Sequence, residues 1–294
     1  MNTTHEISRD DMICQARRRI ASLSWIPSPI LFEALRGVRD EKGPEEISIV
    51  IEKDPSLTSV VLKVSNSAFF GCRGKIDSIP RAIVTLGQKE VRLLILSILV
   101  HQQLNTRNTH PAFSMERFWR HSFLTALAAR ELTSSDAAYL HGLIHDIGLI
   151  VMATFLQDLY GMAAQIATER DISLYEAETE VGLTHTAIST WLGARWCLPP
   201  VLRAALSHHH EPENAGAFQK ETAVIAVADT LARMAEKGKD AARPSNGRQN
   251  DLSMDETILG LAHIPAREYL SLWRRMPCLL EKAHSLWMAM ETSS

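Results

Sequence analysis

Apolar residues along this chain recur at intervals of three and four and almost nowhere alternate. Ile13, Ala16, Ile20 and Leu23 keep that spacing, as do Leu31, Leu35 and Val38, and then Leu57, Val60, Val61 and Val64. A period near 3.6 marks a helix with one buried face, whereas a half-buried strand alternates. The pattern predicts helices over residues 11–22, 30–39, 47–52, 55–66, 81–86, 88–103, 114–132, 134–155, 157–169, 174–181, 184–196, 200–208, 222–235, 258–261 and 266–292. The stretch 93–100 is rich in valine and isoleucine, but its length and its helical neighbours favour helix over strand. With no repeat and no alternating segment, the chain reads as all-α, in two helical lobes.

The breaks between these segments carry their own physical signals. Trp25-Ile26-Pro27-Ser28-Pro29 is an extended turn, because neither proline can continue a helix. Asp54 is placed to cap a helix that has Pro55 at its first position. Ser78-Ile79-Pro80 opens another, which Gly87 ends. The polar, proline-containing connector 104–112 is the best boundary between the lobes. The expected organisation is an N-terminal extension over 1–22, a first lobe over 23–112 and a second over 113–290. Residues 236–253, polar and bearing glycine and proline, read as a mobile loop within the second lobe.

Composition narrows the function classes. The chain has 294 residues, 46% of them hydrophobic, enough for a large core and one or two domains. A net charge of −3 leaves no electrostatic footprint for nucleic acid and no polybasic membrane signal. Four cysteines (Cys14, Cys72, Cys197 and Cys278) are widely spaced, which argues against a disulfide framework or a zinc ribbon. They fit a reducing cytoplasm. The polar start, 1–11, is unlike a signal peptide, and the most apolar run, 91–100, is too short to span a bilayer. A cytoplasmic protein without membrane association is expected.

One stretch concentrates the chemistry: Tyr139-Leu-His-Gly-Leu-Ile-His145-Asp146-Ile-Gly-Leu-Ile150. An imidazole beside a carboxylate in an apolar run is costly unless something satisfies both. A divalent metal does so, and so do hydrogen bonds alone. His121 lies upstream; His185, the run His208-His209-His210 and Asp229 lie downstream, each in or at the end of a helix-like segment. Imidazole and carboxylate without thiolate suit iron, manganese or zinc. His141 shares a helix face with His145 but reads more simply as a core histidine, and His208 as a surface one.

Two sets of residues together resemble the HDOD domain, a helical relative of the HD phosphohydrolases. The first set is Leu23 with Ile26-Pro27, Ile51 with Asp54-Pro55-Ser56-Leu57, Asn66-Ser67, and Ile79-Pro80-Arg81-Ala82-Ile83 followed by Leu86-Gly87. The second is Leu143-Ile-His145-Asp146-Ile-Gly148, Gly182-Leu-Thr-His185, Trp196-Cys-Leu-Pro199 and His209-His210-Glu211. The resemblance covers about residues 20–290. It implies a bacterial regulatory module, acting on a signalling partner protein in trans and open to tuning by a nucleotide or by one or two divalent metals. Asp54, Pro55, Asn66, Ser67 and Gly87 are its structural positions.

The resemblance also implies a ligand set. His121 matches the first metal histidine, His145 and Asp146 the doublet, His185 the middle histidine, His209 and His210 the pair, and Asp229 the last carboxylate. Two features of catalytic relatives are missing. Leu149 stands where a phosphate-meeting lysine usually follows the doublet. After Glu211 the chain reads Pro-Glu-Asn-Ala-Gly-Ala-Phe, not a glycine-tyrosine-proline signature. The expectation is a regulatory protein without efficient catalysis; the alternative is a metal-dependent phosphohydrolase with a degenerate signature. Arg120 and Arg203 are the basic residues nearest the histidines in sequence.

Overall fold

In a computed structural model of the chain, the described residues are 9–22, 55–67, 70, 74–106, 108–240 and 256–291. Among them there is no strand. The helices are α1 (Arg9–Ser22), α2 (Pro55–Ser65), α3 (Ile79–Leu86), α4 (Gln88–Leu104), α5 (Met115–Thr133), α6 (Asp136–Ile144), α7 (Ile147–Phe155), α8 (Gln157–Arg170), α9 (Leu174–Val181), α10 (His185–Arg195), α11 (Pro200–His208), α12 (Gln219–Asp240), α13 (Glu256–Ala262) and α14 (Ala266–Glu291). Two 3-10 turns, Pro212–Asn214 and Gly216–Phe218, link α11 to α12. The helices expected over 30–39 and 47–52, the Trp25–Pro29 turn, and the Asp54 cap lie outside the described residues.

Helix α5 is the axis of the second half. Its Trp119, Phe123 and Leu124 are fully buried, and α6, α12 and α14 all pack on it. In the first half, α2, α3 and α4 pack on one another; α4 then meets α6, and α14 reaches back to α2. One buried apolar cluster runs through both halves, from Ala16 to Met290. Phe70 packs against it where α4, α5 and α14 meet.

Side-chain caps fix where the helices begin. Ser114, Ser135 and Thr184 each accept from a backbone N–H three residues on, and Ser173 with Glu176 forms a reciprocal capping box. Asn66, at the end of α2, bonds three backbone groups: its amide donates to the Leu62 and Ile76 carbonyls, each at 2.7 Å, and its oxygen accepts from Ile76 N–H at 2.8 Å. It ties the two sides of the loop together. Ser67 follows it, Pro55 is the first residue of α2, and Gly87 joins α3 to α4 at φ 94°.

Two expectations need correction. The helix predicted over 134–155 is two helices, broken at the doublet, with Asp146 at φ −96° and ψ 17°. At the break, Gly148 N–H donates to Ser189 Oγ at 3.0 Å instead of continuing the helical ladder. The stretch Asp136–Phe155 is apolar and long enough to be weighed as a membrane span, yet it is mostly buried and interrupted at two ionisable residues. Secondly, α12 runs on to Asp240, so residues 236–240 are helical, not part of a loop.

The break depends on close backbone approach. A Cβ on Gly148 would lie 2.0 Å from the His185 carbonyl oxygen, and one on Gly142 would lie 2.9 Å from the Ala126 backbone. Neither neighbour is a flexible side-chain end, so both glycines let helices cross at backbone distance. Gly148→Ala is expected to cost about 3 kcal/mol or more, at the upper end of overpacking, because it forces α7 off α10. A denaturant midpoint unchanged from the wild type would show that the helices can separate freely.

Candidate metal centre

The seven residues expected to form a site converge. The turn between α6 and α7 projects His145 and Asp146 inward, α5 supplies His121, the start of α10 His185, the turn after α11 His209 and His210, and the middle of α12 Asp229. They form two adjacent groups, Asp146 with His185, His209 and His210, and His121 with His145 and Asp229. Asp146 joins them. Its Oδ1 lies 3.2 Å from both His185 Nε2 and His209 Nε2, while its Oδ2 lies 3.3 Å from His145 Nε2 and 3.9 Å from His121 Nε2. Asp229 Oδ1 lies 2.9 Å from His121 Nε2 and 3.7 Å from His145 Nε2.

The outward nitrogens show what the inward ones are for. His145 Nδ1 lies 2.7 Å from the Gly142 carbonyl, and His209 Nδ1 3.1 Å from the Ala205 carbonyl. Carbonyls only accept, so both rings keep a proton on Nδ1 and, once neutral, can turn a lone pair on Nε2 into the cluster. His185 Nδ1 is held by Glu178 Oε2 at 2.6 Å and His121 Nδ1 by Glu236 Oε2 at 3.0 Å. Anchoring of the remote nitrogen on a carbonyl or carboxylate is how metal-ligating histidines are oriented.

The donor atoms also fit a metal by what they lack. His145 Nε2 and Asp146 Oδ1 are buried without an aligned hydrogen-bond partner. The Nε2 atoms of His185 and His209 lie 3.3 Å apart, and those of His185 and His210 3.2 Å. Donors around one ion at metal–nitrogen distances of about 2.1 Å are separated by about 3.0–3.4 Å, so these spacings match a shared ion.

Several neighbours had weaker signals in the sequence. Glu178, fully buried, also accepts from the His185 backbone N–H at 2.8 Å. It stands between Ala177 and Val181 on the inward face of α9, and a carboxylate there was the available clue. Arg233 Nε and Nη2 hold the two oxygens of Asp229 at 2.8 and 2.7 Å. Asp229, Arg233 and Glu236 follow helical spacing along one face of α12, a pattern hidden while 236 was counted as loop. Arg120 instead pairs with Glu116 at 3.4 Å, and the stem of Arg203 covers Gly193. His141 is buried on α6 outside both groups, and burial pushes its pKa down to about 4. His208 is half-buried, also outside them.

Electrostatics couple the cluster to protons. Burial pulls the pKa of His121 down, but Asp229 and Glu236 outweigh it and hold it at about 9. For His145, burial is outweighed by Asp146 and Asp229, giving about 10; for His185, by Glu178 and Asp146, giving about 9. Burial lowers His209, and lowers His210 with help from the charges of His209 and His185. Asp146 and Asp229 sit well below the usual carboxylate range: burial opposes this, but His145 and, for Asp229, Arg233 overcome it.

The signs follow from linkage. The three raised histidines stabilise the metal-free fold fully below their ordinary value of 6.5, and that contribution is lost as pH rises through about 9–10. The carboxylates' contribution is present above 3.8 and lost as pH falls through their depressed values. A metal needs unprotonated Nε2, so loading near neutral pH is expected to release up to three protons, and none above about pH 10. A dye-indicator titration in weak buffer measures this; metal uptake without proton release would mean the rings are already neutral. Glu178→Gln is expected to weaken metal affinity about 10–100-fold while the helical content stays intact. An unchanged affinity in a competition titration with a chelator would deny Glu178 its orienting role.

Comparison with known proteins places this geometry. The HDOD domain family matches residues 31–212, a span that holds His121, His145, Asp146, His185, His209 and His210 but not Asp229. A protein of Geobacter sulfurreducens, described as an HDOD domain protein with unknown function, superposes with a TM-score of 0.78 at 20% identity, over 95% of this chain and 98% of that one. A Shewanella amazonensis protein described as a candidate phosphohydrolase gives a TM-score of 0.72 at 21% identity, over 93% of this chain and 97% of that one. These likenesses establish the fold. An uncharacterised Treponema pallidum protein is 26% identical over 227 residues, which is 73% of this chain but only 43% of that relative. The matched span covers more than half of the sequence, and the chain belongs to the HDOD domain family.

Proposed function

We propose that this HDOD protein is a signal-transduction module whose histidine–aspartate centre holds one or two divalent metals (iron, manganese or zinc) and a small ligand of nucleotide type. It passes the bound state to a partner protein by contact, without efficient catalysis. The observation that carries the metal reading is the convergence of Nε2 atoms from rings whose Nδ1 atoms are anchored outward. His121, His145, Asp146 and Asp229 would hold one ion, and Asp146, His185, His209 and His210 the other. A bound ion there supplies Lewis-acid stabilisation of phosphate oxygens and a lowered pKa for a coordinated water.

Two features favour regulation over turnover. Leu149 lines the cavity beside Asp146 where a cation would meet phosphate charge. Arg233 grips both oxygens of Asp229 and so competes with a metal for that carboxylate. The second reading, a metal-dependent phosphohydrolase, is favoured by the completeness of the seven-residue donor set.

Elemental analysis of untagged protein purified without chelator is expected to find about one or two equivalents of metal. Chelation should lower the melting temperature, because metal binds only the folded state, and His145→Ala should abolish both the metal and the chelator effect. Absence of metal from the wild type would remove the centre from the function. Metal-dependent hydrolysis of a cyclic dinucleotide or nucleotide at micromolar substrate, lost in His145→Ala, would replace the regulatory reading with the hydrolytic one.

A further inference from the structure

A cavity of about 280 Å³ opens directly beside His121 and Asp146. Its surroundings divide by chemistry. On one side are the metal-ligand atoms. Its carboxylates face imidazoles: Asp146 has His145, His185 and His209 within ion-pair distance, and Glu236 pairs with His121. Another part of the wall is apolar, built from Phe113, Leu149 and Tyr160, with the Phe113 and Tyr160 rings edge-to-face at 5.6 Å. Phe113 and Leu149 are only partly buried, so this wall is open to an occupant.

Two guanidinium groups border the cavity, and they differ. Arg233 spends its fork on Asp229. Arg117, in the first turn of α5, is exposed, and no carboxylate among the described residues lies within ion-pair reach of it. Its side chain faces the same space as Tyr160: burial pushes that phenol up to about 12, Glu178 adds to the rise, and the charge of Arg117 pulls against both. Arg117 therefore brings to the cavity a planar cation with its donors uncommitted, the geometry suited to two oxygens of a phosphate group. Leu149 presents apolar surface in the same cavity, so an inorganic anion gains nothing from that wall and an organic one does.

We infer that the cavity takes an organic phosphate, its phosphate group recognised by Arg117 beside the histidine–aspartate cluster and its apolar or aromatic body lying on Phe113, Leu149 and Tyr160. This rests on the metal-centre reading and assigns the ligand class and the residues that select it. Arg117 is the anion-recognising residue, supplied from α5 and not from the position after the doublet; Leu149 sets the preference for a ligand with a body.

Isothermal titration of the wild type with phenyl phosphate and with inorganic phosphate tests this, after elemental analysis of the same sample. Phenyl phosphate is expected to bind more tightly than inorganic phosphate. Arg117→Ala is expected to weaken both by about tenfold or more with metal content and melting temperature unchanged, since the side chain is exposed, and Arg117→Lys to recover part of the loss. Leu149→Lys is expected to tighten inorganic phosphate and erase the preference for the phenyl ester. Wild-type affinity in Arg117→Ala, or no preference in the wild type, overturns the inference. Protein that holds metal but not phenyl phosphate overturns this inference and leaves the metal centre standing. Protein that holds neither overturns both. Protein without metal that still binds phenyl phosphate through Arg117 supports the cavity assignment and removes the metal.

Discussion

A buried carboxylate sets the terms for the second half of this molecule. Asp146 is almost wholly removed from water, and an unpaired charge there would cost several kcal/mol. Imidazoles from four elements answer it: His145 from its own turn, His121 from α5, His185 from α10 and His209 from the turn after α11. Each must arrive with a nitrogen facing inward, which fixes how those helices cross. The glycines on either side of the doublet are what let α5 and α10 come close enough.

The same carboxylate explains why the surroundings are polar in a graded way. The inner ring of imidazoles would repel one another if all were charged, and in His209 burial outweighs the pull of Asp146. The outer ring, Glu178, Glu236 and two backbone carbonyls, orients the rings. A proton and a metal bound there would compete for one set of lone pairs, so under the proposed reading the centre would respond to pH and to metal supply through the same atoms.

The cavity beside the cluster shows how one scaffold can serve different chemistry. The cluster supplies hard, charge-bearing donors, and under the proposed reading the wall around it would select which ligand reaches them. Here the wall includes a leucine, two aromatic rings and Arg117 from α5, for which no carboxylate lies within ion-pair reach among the described residues. Function in such a protein sits in the few side chains bordering the site, while the fold beneath is shared with distant relatives at about 20% identity.

The helical class and most element positions were legible in the sequence, because a 3.6-residue period is a local signal; the His145-Asp146 doublet stood out in an apolar run, while the full set of seven residues came from the resemblance to the HDOD domain. The break at His145-Asp146 was not legible, because the residues around it keep a helical pattern and the acceptor that diverts Gly148 N–H, Ser189, lies 41 residues away. Glu178 and Arg233 were missed because each looks like an ordinary helix charge until packing turns its face inward, and Glu236 because it was read as loop. Arg117 gave no signal at all beside Arg120, which was nearer the histidine in sequence but pairs with Glu116. Sequence alone determined which chemical groups this protein owns, since identity and local period are properties of the chain. Tertiary structure decided which of them meet, which nitrogen of each ring faces inward and which cation borders the cavity, since those depend on how helices far apart in sequence cross.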